Sequence, residues 1–161
     1  MRETPSVPDY AFQAAFKVAH RMLRAFWLVR RPYTRGALVA VWHEGEVLIV
    51  KNSYRRHYTL PGGYIRSHES PAEAGARELA EECGIYVQPE NIQEVYQRIH
   101  SFEFREDDVT IGEIEIAERP PIRIDHREVV DARFFSIAAA QKLPLVPHLA
   151  EYLASRSAGA A

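Results

Sequence analysis

Residues 63–85 read GYIRSHESPAEAGARELAEECGI. Within this stretch Ser70 can act as an N-cap, Pro71 takes the first helical position, Glu73 completes a capping box, and Gly84 follows the last periodic residue. These end signals predict a helix over 71–83. A rotation of about 100° per residue puts Ala72, Ala76, Leu79 and Cys83 on one narrow stripe that packs inward. Glu78, Glu81 and Glu82 fall on a separate arc, because i, i+3 and i+4 positions are neighbours on a helix surface. Three carboxylates there oppose helix stability, since they repel one another and stand at the end where the helix dipole favours cations. Glu73 and Arg77 form a favourable i, i+4 pair, but one arginine cannot neutralise three acids. A divalent cation can. Carboxylate oxygens clustered on a rigid helix suit Mg²⁺ or Mn²⁺, ions that also bind phosphate oxygens and activate water.

Just upstream, residues 59–64 read TLPGGY. A proline and two adjacent glycines favour a sharp change of direction and close approach of backbone to a ligand. Residues 36–42 and 46–51 are rich in Val, Leu and Ile around a short turn at 43–45, which predicts a hairpin, and a polar loop at 52–58 follows. Downstream, 85–87, 92–104, 109–116 and 129–136 read as extended, while 137–141 and 146–155 look helical. With no internal repeat, strands mixed with a few helices predict an α/β or α+β domain with a mixed sheet.

At 161 residues and 47% hydrophobic content, the chain can bury one substantial core but falls short of two ordinary domains. The single cysteine, Cys83, cannot form an internal disulfide, and no cleavable secretory segment is recognisable, so a reducing, cytoplasmic setting is expected. Residues 1–35 carry seven Lys or Arg against two acids, and the remainder thirteen against twenty, so a front of +5 precedes a body of −7. The acidic body is a poor partner for nucleic acid polymers, yet it can hold phosphates that arrive with cations. Over 9–30, Phe12, Phe16, Ala19, Leu23 and Phe26 recur at spacings of four, three, four and three, which predicts a long amphipathic helix ended by Pro32. Lys17, His20, Arg21 and Arg24 interrupt it too often for a membrane span.

A solvated acidic face is the ordinary reading of three glutamates on a helix, but the spacing here says otherwise. From Gly63 the chain runs through five residues to Glu69, then seven to Arg77-Glu78-Leu79, Ala80, Glu81-Glu82, Cys83 and Gly84-Ile85. This resembles the Nudix box, G-x5-E-x7-R-E-U-x-E-E-x-G-U with U aliphatic, at every specified position. Ordinary residue frequencies give such a match by accident in about one chain of this length per ten million. The resemblance implies the α/β Nudix fold, an α/β/α sandwich with a mixed β-sheet. The domain would span 36–155, with an added N-terminal amphipathic helix and linker over 1–35 and a disordered tail over 156–161.

The resemblance also implies a Mg²⁺-dependent hydrolase, with Mn²⁺ as the alternative ion, that cuts the diphosphate bond of a nucleoside diphosphate linked to another group. Carried over position by position, Glu78, Glu81, Glu82 and Gly63 would contact metal. Glu78, Glu81 and Arg77 would serve catalysis, and Glu69 would be an outer or additional metal contact. Some relatives use a further glutamate after the box, for which Glu113, Glu115 and Glu118 are candidates, with solvent exposure as the competing reading. Arg55 and Arg56, with His57, stand where substrate phosphates can be met, against the plain reading of solvated loop charge. Trp42, Tyr54, Tyr58 and Tyr64 can stack on a base or simply pack. A proline seen downstream of the box in many ADP-ribose enzymes is replaced by Ile99, His100 and Ser101. The NADH-type SQPW pattern and the coenzyme A signature are absent too. Nucleotide sugars, ADP-ribose-like compounds and damaged nucleoside triphosphates remain as substrate classes. A non-catalytic nucleotide-sensing or interaction module is the rival, opposed by the complete glutamate set. For the N-terminal helix, packing on the domain or a homodimer is favoured over contact with an anionic membrane surface.

Overall fold

The computed structural model describes residues 4–159. Its central strand, β1 (Tyr33–His43), is buried from Ala37 to His43 because both of its faces are covered. Side chains alternate along it. Leu38, Ala40 and Trp42 join Val47, Ile49, Leu60, Leu149 and Leu153 in one core cluster, while Val39 and Val41 join Leu48, Val50, Leu79 and Cys83 in another. β2 (Glu46–Asn52) returns through Glu44 and Gly45, both at positive φ, as a two-residue hairpin turn requires.

The seven-stranded sheet is completed by β3 (Tyr58–Thr59), β4 (Gly62–Tyr64), β5 (Gln93–Phe102), β6 (Arg105–Glu115) and β7 (Val129–Ser136). Its main path is β3-β2-β1-β6-β5, with β4 on β1 and β7 on β2. β1 and β6 run parallel and the other pairs antiparallel, so the sheet is mixed as expected. α2 (Pro71–Cys83) covers one face; α3 (Ile137–Ala140) and α4 (Pro147–Gly159) cover the other. The result is an α/β/α sandwich.

One departure from a regular sheet creates the cleft. β1 and β2 pair only at Trp42↔Val47 and His43↔Glu46, next to their turn, and then part. β4 fills the gap on the β1 side against Gly36, Ala37 and Leu38, and β3 fills it on the β2 side against Val50 and Lys51. The glycine-rich segment therefore threads the mouth of a split sheet. Gly62 lies at φ 146, and a Cβ there would collide with the Ala37 carbonyl and come within 2.7 Å of Leu38 Cα. No other residue type fits that approach.

α2 has the predicted ends. Ser70 Oγ accepts from Glu73 N at 3.2 Å, Glu73 Oε2 accepts from Ser70 N at 2.7 Å, and Gly84 closes the helix at φ 66. Elsewhere the structure corrects the sequence. Residues 85–87 form no strand, and residues 105–108, which lie between two of the predicted extended segments, open β6. They tolerate this position because Arg105 and Asp107, on the buried side, neutralise each other at 2.6 Å. α4 extends through residues 156–159, where a tail was expected, and Ser157 Oγ donates to Leu153 O at 3.0 Å. Residues 160 and 161 lie outside the described region.

α1 (Val7–Arg30) forms where expected but docks through a different face. Phe12, Ala19, Leu23 and Phe26 of the predicted stripe remain exposed, and only Phe16 is partly covered. The docking side is Asp9, Gln13, Phe16, His20 and Trp27. Polar anchors decide the rotation: Asp9 accepts from Arg127 Nε at 3.0 Å, Gln13 Nε2 donates to the His126 carbonyl at 2.7 Å, and His20 Nε2 meets Glu103 Oε1 at 3.3 Å. Leu79 is fully buried. Leu79→Ala should therefore lower unfolding free energy by about 3 kcal/mol in denaturant titration, while Val18→Ser on the exposed side of α1 shifts it by less than about 0.5 kcal/mol.

Candidate active site

One cleft gathers residues from every part of the split sheet. Gly62, Gly63 and Tyr64 form its floor, Glu78, Glu81 and Glu82 of α2 one wall, and Glu128 borders the same space just before β7. Tyr54 and Arg55 of the loop after β2, with Arg105 and Asp107 of β6, also line it.

Arg77 organises the acidic wall. Its Nε donates to Glu69 Oε1 at 2.7 Å and one terminal nitrogen to Glu69 Oε2 at 3.0 Å, a bidentate pair. The same nitrogen reaches the Tyr64 carbonyl at 3.1 Å, tying α2 to the glycine-rich segment. The other terminal nitrogen donates to Glu78 Oε1 at 2.6 Å and reaches Glu81 Oε2 at 3.4 Å. Held by Arg77 and by the Arg66 N–H, the Glu69 carboxyl drops to a pKa of about 2. Arg77 is correspondingly locked in its charged form, chiefly by Glu69.

The remaining carboxylates are short of positive charge. Burial raises the pKa of Glu78, partly offset by Arg77. Glu82 Oε2 accepts from Gly62 N at 2.9 Å, yet burial, reinforced by Glu78 and Glu128, pushes its pKa up to about 8. A Cβ on residue 63 would stand 2.6 Å from Glu78 Oε1, so glycine there lets main chain and carboxylate share one small space. Among the described residues, no three His, Cys, Asp or Glu side chains already surround a common point as a ligand set. Glu78 and Glu82 are instead drawn onto Arg77 and the Gly62 N–H. Under-neutralised carboxylate oxygens around a bare stretch of backbone are nevertheless the donor chemistry that fits a hard divalent cation.

The other sequence candidates divide. Arg55 borders both the cleft and a neighbouring cavity beside Phe102 and Phe104, whereas Arg56 and His57 line that neighbouring cavity and not the cleft. Tyr54 and Tyr64 border the cleft; Trp42 is buried behind the sheet, its Nε1 donating to Tyr152 Oη at 2.9 Å, and Tyr58 packs against that same core. Glu113 and Glu115 line a different cavity, where Tyr152 donates to Glu113, and Glu118 is exposed beyond the end of β6. None of the three borders the carboxylate wall. Glu128 does, and Tyr54 Oη donates to it at 2.8 Å. It was missed because it follows a loop with no periodic signal. Sequence reasoning also passed over Asn52, Arg105, Asp107 and His148, all buried and bordering the cleft. A charged pair inside a strand was the one available hint.

The layered architecture thus sets the carboxylate wall beside a glycine-rich turn. A family profile described as the NUDIX domain matches residues 32–155, and the chain belongs to the Nudix family. It is 40% identical over 67 residues to a Bacillus subtilis (strain 168) protein provisionally named an 8-oxo-dGTP diphosphatase; the match spans 41% of this chain and 45% of that relative. The MutT protein of Methanosarcina mazei Go1 superposes with a TM-score of 0.69 at 18% identity, covering 82% of this chain and 98% of that one. A C. elegans Ap4A hydrolase superposes at 0.67 and 18% identity, covering 79% and 97%. At such identities the structural likeness speaks for the fold.

Glu82 gives a pH prediction for the metal-free protein. Its folded value of about 8 lies above its ordinary 4.5, so in that window the folded state keeps a proton that the unfolded chain has released. Its contribution to stability is full below pH 4.5 and is lost as pH rises toward 8. Denaturant midpoints measured in chelator should fall across this window, and Glu82→Gln should flatten that part of the profile.

Proposed function

We propose that this chain is a Mg²⁺-dependent pyrophosphohydrolase acting on a nucleoside diphosphate linked to another group. The observation that carries this reading is the wall of Glu78, Glu81 and Glu82, served by Arg77, which shares one cleft with Glu128, Arg55 and Arg105. Glu78, Glu81 and Glu82, with the main chain at Gly63, would hold Mg²⁺ or Mn²⁺. A cation bound there supplies charge neutralisation at the diphosphate and acidifies water. Glu78, Glu81 and Arg77 are the proposed catalytic groups: the carboxylates orient the water, and the Arg77 guanidinium fixes both. Glu69 acts one layer out, holding Arg77 in register. Arg55 is retained as a phosphate contact, while Arg56, which does not border the cleft, is not.

Among the described residues, the buried Asn52 Oδ1 and His148 Nδ1 bordering the cleft find no hydrogen-bond partner. Burial holds the His148 imidazole neutral, at a pKa of about 3. Between them they can offer polar contacts to a heterocycle, and Tyr54 and Tyr64 can stack on one, which supports a nucleotide over a simple inorganic diphosphate. Nucleotide sugars, ADP-ribose-like compounds and damaged nucleoside triphosphates share that chemistry. The acidic body supports a small-molecule substrate over a nucleic acid polymer, and a lone buried thiol at Cys83 suits a reducing cytoplasmic setting.

A panel of these nucleotides should be hydrolysed with Mg²⁺ and not in chelator. Glu82→Gln should reduce kcat by at least about a hundredfold with unchanged circular dichroism. Arg55→Ala should raise KM and Arg56→Ala leave both constants near wild type. Tight nucleotide binding without turnover by the wild type would make this a sensing module instead.

A further inference from the structure

The outer side of α1 is apolar along its whole length, opposite the side that docks through Asp9, Gln13, Phe16, His20 and Trp27. Val7, Ala11, Val18, Met22, Ala25 and Val29 lie along one stripe and are all exposed, Val29 by 81% and Met22 by 70%. An amphipathic helix on a globular domain ordinarily turns its apolar stripe inward; this one turns it out. The ion pair of Asp9 with Arg127 and the hydrogen bonds of Gln13 and His20 hold it in that sense. Trp27 fastens its far end under the Arg105 guanidinium, 4.5 Å from the ring centroid.

The borders of the stripe identify what covers it. Lys17, Arg21 and Arg24, at spacings of four and three, run along one edge, and Arg30 flanks the other; all are exposed. The helix has a single acid, Asp9, which is buried and paired with Arg127. Two copies packed through this stripe would bring cationic borders together with no carboxylate on the helix to offset them. A bilayer carrying anionic headgroups meets both features at once: the stripe enters the interface while the lysine and arginines remain at headgroup level. No described helix is long and apolar enough to cross a membrane, so contact would lie in the interfacial plane.

We propose that α1 is a peripheral membrane anchor that seats the hydrolase domain on anionic lipid through its outward apolar stripe. The test is co-flotation of the full chain with vesicles of phosphatidylcholine mixed with phosphatidylglycerol, and with phosphatidylcholine alone. The chain should float with the anionic vesicles and not the neutral ones, and salt should weaken the association. The triple variant Val18→Glu, Met22→Glu, Val29→Glu alters exposed side chains only. It should float at least about tenfold less while unfolding at the wild-type denaturant concentration. Three results would overturn the proposal: wild type that stays with the soluble fraction, equal flotation of the triple variant, or a wild-type dimer that the variant dissociates.

Discussion

Arg77 carries the constraint from which the site is built. A single guanidinium spends two donors on Glu69, one on Glu78 with a longer reach to Glu81, and one contact on the Tyr64 carbonyl. That arrangement fixes α2 relative to the glycine-rich segment and leaves more carboxylate than cation. Glu69 is fully satisfied and strongly acidic; Glu78 and Glu82 are not, and burial raises both. Protein charge is thus distributed unequally within one short helix. The unsatisfied end faces the cleft.

The split between β1 and β2 makes this distribution useful. Had the two strands stayed paired beyond Trp42 and Val47, the sheet would be closed where Gly62 and Gly63 now pass. The glycines are needed because β4 runs so close to β1 and Glu78 that side chains would collide. The hydrophobic layers on both faces, with Leu79 and Cys83 on one side and Leu149 and Leu153 on the other, hold the strands rigid on either side of the opening. A cleft lined by under-neutralised carboxylates suits an anionic ligand that arrives with a cation.

α1 shows how tertiary contacts override a local pattern. Its aromatic repeat predicted one docking face, but exposed arginine on the domain and a charged hairpin turn supplied better partners for Asp9 and His20. The rotation that satisfies them leaves an apolar surface in water, a cost that a second binding partner would relieve. Tyr54 stacks on Phe16 and meets the His20 ring at a tilt while also donating to Glu128, so the helix contacts a residue of the cleft wall directly.

The sequence by itself determined the elements whose signals are local. The capping box, the proline and the closing glycine set α2; the fixed spacing from Gly63 to Ile85 identified the carboxylate wall; and the valine-rich runs set the central hairpin. Local spacing suffices there because a helix places i, i+3 and i+4 together whatever else the chain does. Only the tertiary structure decided which distant residues join that wall. Glu128 replaced Glu113, Glu115 and Glu118 as the neighbouring carboxylate, Arg55 reached the cleft while Arg56 did not, and Asn52, Arg105, Asp107 and His148 emerged there. Those choices depend on the crossing of loops over a split sheet and on which face of a helix finds polar partners. Both are properties of long-range packing, for which no periodicity in one sequence stands proxy.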